Sequence, residues 1–249
     1  MLMAIRGLLA ATFIGWLMLA SSVAGAASAL RLLVLESSPP MSYRDADGRL
    51  TGFTIEIARA LCAEMGEQCE MEVTRLDQVL DLLAGGAADI AAVSLLDTPE
   101  RRQRILLAQP YFRSRTLMFA RPGVQPGAPG IRVAVVRGSA QERYAQAQSW
   151  ELVGVGTNGE LGEPVVAGIA QVVLIPMATA LALQRQPRFQ QLGMQATVMD
   201  VPSLTGDASF GISPKRPELK AKVDAALERI KRNGVYDRIN SQFLPFRVN

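Results

Sequence analysis

The chain has no histidine and only two cysteines in 249 residues. That excludes a closed zinc site and a nucleophile served by a histidine base, since two thiolates cannot complete a tetrahedral shell. No metal and no cofactor is expected. Charge of one sign is also scarce, because 26 basic residues face 23 acidic ones for a formal +3. So small an excess gives neither nucleic acid nor an anionic lipid surface a footprint to bind. Long apolar runs are missing everywhere beyond the N-terminus, so any membrane-spanning step belongs to other chains.

The N-terminus is the exception. Met1 to Ala26 carries one charge, Arg6, then an apolar stretch from Leu8 to Ala20 and a small-residue end, Ala24-Gly25-Ala26. Ala27-Ser28-Ala29 offers a second cleavage point. This is the pattern of a secretory signal peptide, and it predicts a cleaved, periplasmic protein. Cys62 and Cys69, with six residues between them, are then expected to form a disulfide between a helix end and the next strand. By loop entropy such a bridge contributes about 2–3 kcal/mol. A redox motif is the alternative, but the spacing is wrong for C-x-x-C.

Apolar patterning predicts an α/β chain. Leu30 to Leu35 reads as a buried strand, followed by the polar loop Glu36-Ser37-Ser38-Pro39-Pro40. In open α/β sheets such a loop, beyond the C-terminal end of a strand, lines the ligand crevice. Phe53 to Met65 has apolar residues at helical spacing and Gly66 to stop it. A strand from Glu70 to Thr74 and a helix capped by Asp77 complete a β-α-β-α-β order, which predicts crossovers and a mainly parallel sheet. After Arg121 to Gly130 a second α/β unit begins. Ile131 to Val136 is its first strand, Arg137-Gly138-Ser139-Ala140 a turn, and Gln141 opens a helix, so amides at residues 139–141 could meet an anion. Further strands are expected at Glu151 to Thr157, Gln171 to Ile175, Gln195 to Asp200 and Phe210 to Ser213. Helices are expected at Met177 to Gln184 and Glu218 to Arg232, with a poor one from Asn158 to Gly168.

The stretch from Asp89 to Arg101 carries the chemistry. A buried strand through Ser94 ends in a turn at 95–97, and Thr98 and Pro99 suit a helix start. Arg101 does not suit it, since a cation in the first turn opposes the helix dipole. It is either a solvated surface arginine, as Arg102 and Arg104 are expected to be, or a contact to a bound carboxylate.

Gly48-Arg49-Leu50-Thr51-Gly52-Phe53-Thr54-Ile55-Glu56-Ile57-Ala58, Thr98-Pro99-Glu100-Arg101, Pro110-Tyr111-Phe112 and Asn233-Gly234-Val235-Tyr236-Asp237-Arg238-Ile239 resemble the family 3 periplasmic solute-binding proteins. These are the polar amino-acid receptors of ABC importers, and the chain is most similar to the lysine/arginine/ornithine and histidine binders. The resemblance implies a two-lobed type II clamp with two crossover strands. Residues 30–112 plus 209–249 would form lobe 1 and residues 113–208 lobe 2. It also implies a monomer that docks on an inner-membrane ABC permease and has no catalytic residue. Arg101 would grip a ligand carboxylate, assisted by Ser94, Leu96, Ser139 and Ala140, with Ser38 in the first loop.

The rest of the family's site departs. The lobe 2 aspartate that holds a ligand ammonium falls on Pro176, the first-loop acid on Leu35, the stacking aromatic on Ser38 and a hydroxyl residue on Leu96. These departures point to a small anionic ligand without a free amino group. Arg137 is either a second positive contact or solvent-facing. Two alternatives accompany this reading. One is a periplasmic dehydratase-like enzyme with Glu36 as general acid, which would otherwise be a solvated loop glutamate. The other is a ligand-free adaptor or sensory partner.

Overall fold

The computed structural model describes residues 29–247. The stretch expected to be a signal peptide lies outside the described residues as far as Ser28. In chain order come β1 (Leu30–Leu35), a small hairpin of β2 (Tyr43–Arg44) and β3 (Leu50–Thr51), α1 (Phe53–Met65), β4 (Cys69–Thr74), α2 (Leu76–Gly85), β5 (Ile90–Leu96) and α3 (Pro99–Arg104). Then follow β6 (Leu106–Leu107), β7 (Phe112–Ser114), β8 (Thr116–Ala120), β9 (Arg132–Val136), α4 (Ala140–Ala147), β10 (Glu151–Val155) and α5 (Gly162–Val166). The chain continues through β11 (Val172–Pro176), α6 (Met177–Gln184), α7 (Pro187–Gln190), β12 (Gln195–Met199), β13 (Gly206–Ile212), α8 (Glu218–Arg232) and α9 (Val235–Phe243).

These elements build a two-lobed α/β clamp around two sheets. The first runs β4-β1-β5-β13-β6 with β7 also on β13, and the second runs β10-β9-β11-β8-β12. Each has a parallel core of three strands, because helical crossovers return the chain in the same direction. Only β13 and β8, the strands that follow the two passages between lobes, run against these cores; β6 and β7 pair antiparallel with β13, and β12 with β8, so these three point the same way as the cores. The continuous apolar strands are explained by burial on both faces. In β1, Leu32 and Val34 pack with α1 and α8, while Leu33 packs with Val79 and Leu83 of α2.

The passages run from β7 to β8 through Arg115 and from β12 back to β13. β7 pairs with β13 at Gly206, Asp207 and Ala208, so the first sheet takes in Ser114 and Gly206. At this hinge the Thr116 hydroxyl donates to the Leu204 carbonyl at 2.9 Å and accepts from Gln141 Nε2 at 2.8 Å.

Several local expectations need correction. β5 continues to Leu96 where a turn was expected, because Leu95 and Leu96 are buried and still pair with Ser209 and Ala208. Asp77 does not cap α2. Arg75 holds the N-cap position, and the Asp77 carboxylate takes two hydrogen bonds from the Arg75 guanidinium, which hold its pKa below the ordinary carboxylate value. The poor helix after Asn158 is a 3-10 turn at 158–160 followed by α5. Gly66 does stop α1, at φ 69°, a left-handed conformation that glycine adopts without strain. Cys62 at the end of α1 is bonded to Cys69 at the start of β4, with Cα atoms 6.2 Å apart.

Candidate functional site

Between the lobes lies a cavity lined by both. It leaves about 70 Å3 for the centres of water-sized bodies, against roughly 10–15 Å3 needed to seat one water. A molecule of several heavy atoms fits. From the first lobe come the ends of β1 and β5, with Leu35, Ser94 and Leu96, together with Ser38 of the first loop and Thr54 of α1. From the second come Ser139 and Ala140 at the start of α4, Gln141, Asn158, and Pro176 at the end of β11.

Arg101 enters from the first turn of α3. Thr98 caps this helix, its hydroxyl accepting from the Arg101 amide at 3.4 Å, and Pro99 follows it. The Arg101 side chain turns away from solvent and is 3% exposed. Its Nη1 donates to the Leu96 carbonyl at 2.8 Å, while Nε is buried without a partner. Burial first, and the neighbouring Arg143 guanidinium second, push its pKa down from 12.5 to about 10 against the attraction of Glu100. That fall corresponds to roughly 3 kcal/mol of penalty on the charged form. At neutral pH the group stays charged and, among the described residues, it is the one charged side chain in the lining.

Behind Arg101 the cavity wall is a hydroxyl cluster. Ser94 Oγ lies 2.7 Å from the Tyr111 hydroxyl, which lies 3.1 Å from Thr54 Oγ1. Burial raises the Tyr111 pKa well above its ordinary value, so the phenol remains a neutral donor. Tyr111 is itself fixed between Phe53 and Phe210, with ring centroids 5.9 and 4.6 Å away.

Six of the residues singled out from sequence meet in this cavity: Arg101, Ser94, Leu96, Ser139, Ala140 and Ser38. Two do not line it. Glu36 is half-exposed and accepts from Arg44 Nε at 2.9 Å, pulled outward by an ion pair. The Arg137 guanidinium donates to the Gly154 carbonyl and lies 3.9 Å from Asp77. The expected Ser139 amide is also engaged, donating to the Val136 carbonyl at 3.2 Å. Pro176, Leu35, Ser38 and Leu96, the four positions that depart from the family's pattern, all face the cavity. No acidic side chain does so among the described residues. Sequence reasoning passed over Thr54, Gln141 and Asn158. Their only local signals are a hydroxyl, an amide and an Asn-Gly turn.

The lobes touch directly at the cavity mouth. Asn158 Nδ2 donates to Ser38 Oγ at 2.7 Å, and the Gly159 amide donates to the Ser37 carbonyl at 3.1 Å. Arg143 Nε lies 2.8 Å from Glu100. Gly138, at φ 76°, lies against Asp77 so closely that a Cβ there would sit 2.6 Å from the Asp77 Cα. The clamp is closed.

The chain resembles known proteins over most of its length. It is 25% identical over 232 residues to the L-arginine-binding protein of Pseudomonas aeruginosa, covering 88% of this chain and 89% of that one. It is also 25% identical to the lysine/arginine/ornithine-binding periplasmic protein of Escherichia coli, over 92% of each. Among solved structures, an ancestral arginine-binding protein bound to arginine superposes with a TM-score of 0.77 at 23% identity, covering 87% of this chain and 98% of the other. The description of the bacterial extracellular solute-binding proteins, family 3, matches residues 30–246, and the chain belongs to that family.

Proposed function

We propose that this protein is a periplasmic receptor that closes on a small carboxylate and presents it to an ABC permease. Arg101 carries the reading. A guanidinium that is 3% exposed, with Nε unpartnered and no carboxylate in the same cavity, is an uncompensated buried charge, and a bound anion relieves it. Ser94, the Ser139 hydroxyl and the Ala140 amide would assist, and Leu35, Leu96 and Pro176 would supply an apolar body. The relatives named above bind cationic amino acids, but here an ammonium group would meet proline and leucine where a carboxylate is needed, at a penalty of several kcal/mol. The ligand class has therefore changed within the family. The lobes would then divide as residues 30–114 with 206–247 and residues 115–205, a few residues inside the expected bounds of 113–208, since β7 and β13 pair in the first sheet. The dehydratase reading lacks its acid, since Glu36 is turned to Arg44 outside the cavity.

Native mass spectrometry of freshly purified protein tests this by revealing a co-purified carboxylate. A thermal-shift panel of amino acids paired with their desamino counterparts tests it independently. The desamino member should stabilise more in each pair. A micromolar amino acid whose binding collapses when its amino group is removed would overturn the proposal.

A further inference from the structure

Among the described residues, Asn158 is the one polar side chain of the second lobe that both lines the cavity and hydrogen-bonds across it. It opens the 3-10 turn after β10, and its Nδ2 donates to Ser38 Oγ in the first lobe. That bond orients the amide and leaves Oδ1 buried with no partner. A buried carbonyl oxygen without a donor is costly, and such groups ordinarily find one. Three neighbouring polar side chains are already engaged. Thr179 Oγ1 donates to the Pro176 carbonyl at 2.9 Å, Gln141 Nε2 is tied to Thr116, and the Ser94 hydroxyl belongs to the Tyr111 cluster.

We infer that Asn158 Oδ1 accepts a hydrogen bond from the ligand, so that the ligand is a carboxylate that also carries a neutral donor such as a hydroxyl or an amide N–H. This rests on the carboxylate reading of Arg101 and narrows it. An amide oxygen has no net charge with which to repay the desolvation of an ammonium, whereas a hydroxyl loses little on entering and gains a partner. Asn158 thereby does two things at once. Its nitrogen fastens the lobes through Ser38, and its oxygen reads the ligand. Closure and recognition share one side chain.

The test is a thermal-shift and calorimetry panel of four- to six-carbon monocarboxylates, each unsubstituted, hydroxylated, oxo-substituted or amine-substituted at successive carbons. In the wild type, a hydroxylated member should bind roughly fivefold or more tightly than its unsubstituted match. Asn158→Ala should weaken both by loss of the Ser38 bond and bring the two to equal affinity. Asn158→Asp, nearly isosteric, should move the preference toward the amine-bearing analogue. Arg101→Ala should abolish binding of both members while the Asn158 variants keep it, which separates the two readings. Equal binding of the hydroxylated and unsubstituted members by the wild type, or tighter binding of the oxo member, overturns this inference and leaves the carboxylate reading standing. Absence of any shift across the panel overturns both.

Discussion

Arg101 shows how much one residue can reveal and conceal. A cation in the first turn of a helix works against the dipole, and that misfit is readable from Thr98-Pro99-Glu100-Arg101 alone. Its burial is not, because the closed second lobe completes the shell around it. The consequence for stability has a definite sign. Replacing Arg101 by methionine should remove the unpaired charge and raise the stability of the ligand-free protein by about 1–3 kcal/mol. The same substitution should weaken carboxylate binding by about 2–5 kcal/mol, and Arg101→Lys should restore part of it. Denaturant melts with and without ligand separate the two effects. A ligand-free Arg101→Met protein less stable than wild type would contradict the account. The pKa near 10 adds a second readout. On the proposed reading the ligand binds the charged guanidinium, so affinity should stay level up to about pH 10 and fall above it as the empty protein loses that proton. Glu36 and Arg137 show the opposite failure. Both stand in loops at the correct strand ends, but exposed partners, Arg44 and Asp77, turn them away.

Elements were legible wherever an apolar period ran uninterrupted. Helices α1, α6 and α8 follow their patterns, as does β1, since burial on one or both faces dictates composition directly. The misjudged ends are those set by another segment. β5 reaches Leu96 because β13 pairs with it there, and β11 includes Pro176 opposite Thr116 of β8. The turn between β9 and α4 matters most at this scale. Gly138 combines a positive φ with a close approach to the backbone of Asp77 in the other lobe. Gly138→Ala should therefore lose about 1 kcal/mol of stability to strain and, in addition, resist closure. Ligand affinity should drop tenfold or more. Gly123→Ala is the control, because Gly123 also has a positive φ, 80°, but nothing lies near its missing Cβ. It should lose stability and keep affinity. Equal affinity losses in both would place the effect in backbone strain instead of lobe contact.

For the whole molecule, the order of strands and helices foretold two α/β units, and it could not foretell how they sit on each other. The closed arrangement depends on Asn158 meeting Ser38, on Gly159 meeting Ser37, and on Arg143 meeting Glu100, pairs more than 40 residues apart whose types carry no mark of their partners. The disulfide sits away from that contact surface, joining α1 to β4 on the far side of the first sheet. Replacing Cys62 and Cys69 together by serine should lower stability by about 2 kcal/mol by the loop-entropy relation and leave ligand affinity unchanged. A calorimetric titration showing weaker binding in the double variant would mean that the bridge holds the cavity as well as the fold.

The naked guanidinium also sets how long the protein survives in its compartment. An empty chain carries the penalty of Arg101, and a loaded one does not, so the fraction that opens far enough for a protease falls as ligand accumulates. At a hundredfold excess over Kd the gain is about 2.7 kcal/mol, enough to cut cleavage through the globally unfolded state about a hundredfold where cleavage tracks that population. Half-life under limited digestion then becomes a gauge of ligand concentration, and protein kept without ligand would be cleared sooner than protein kept with it.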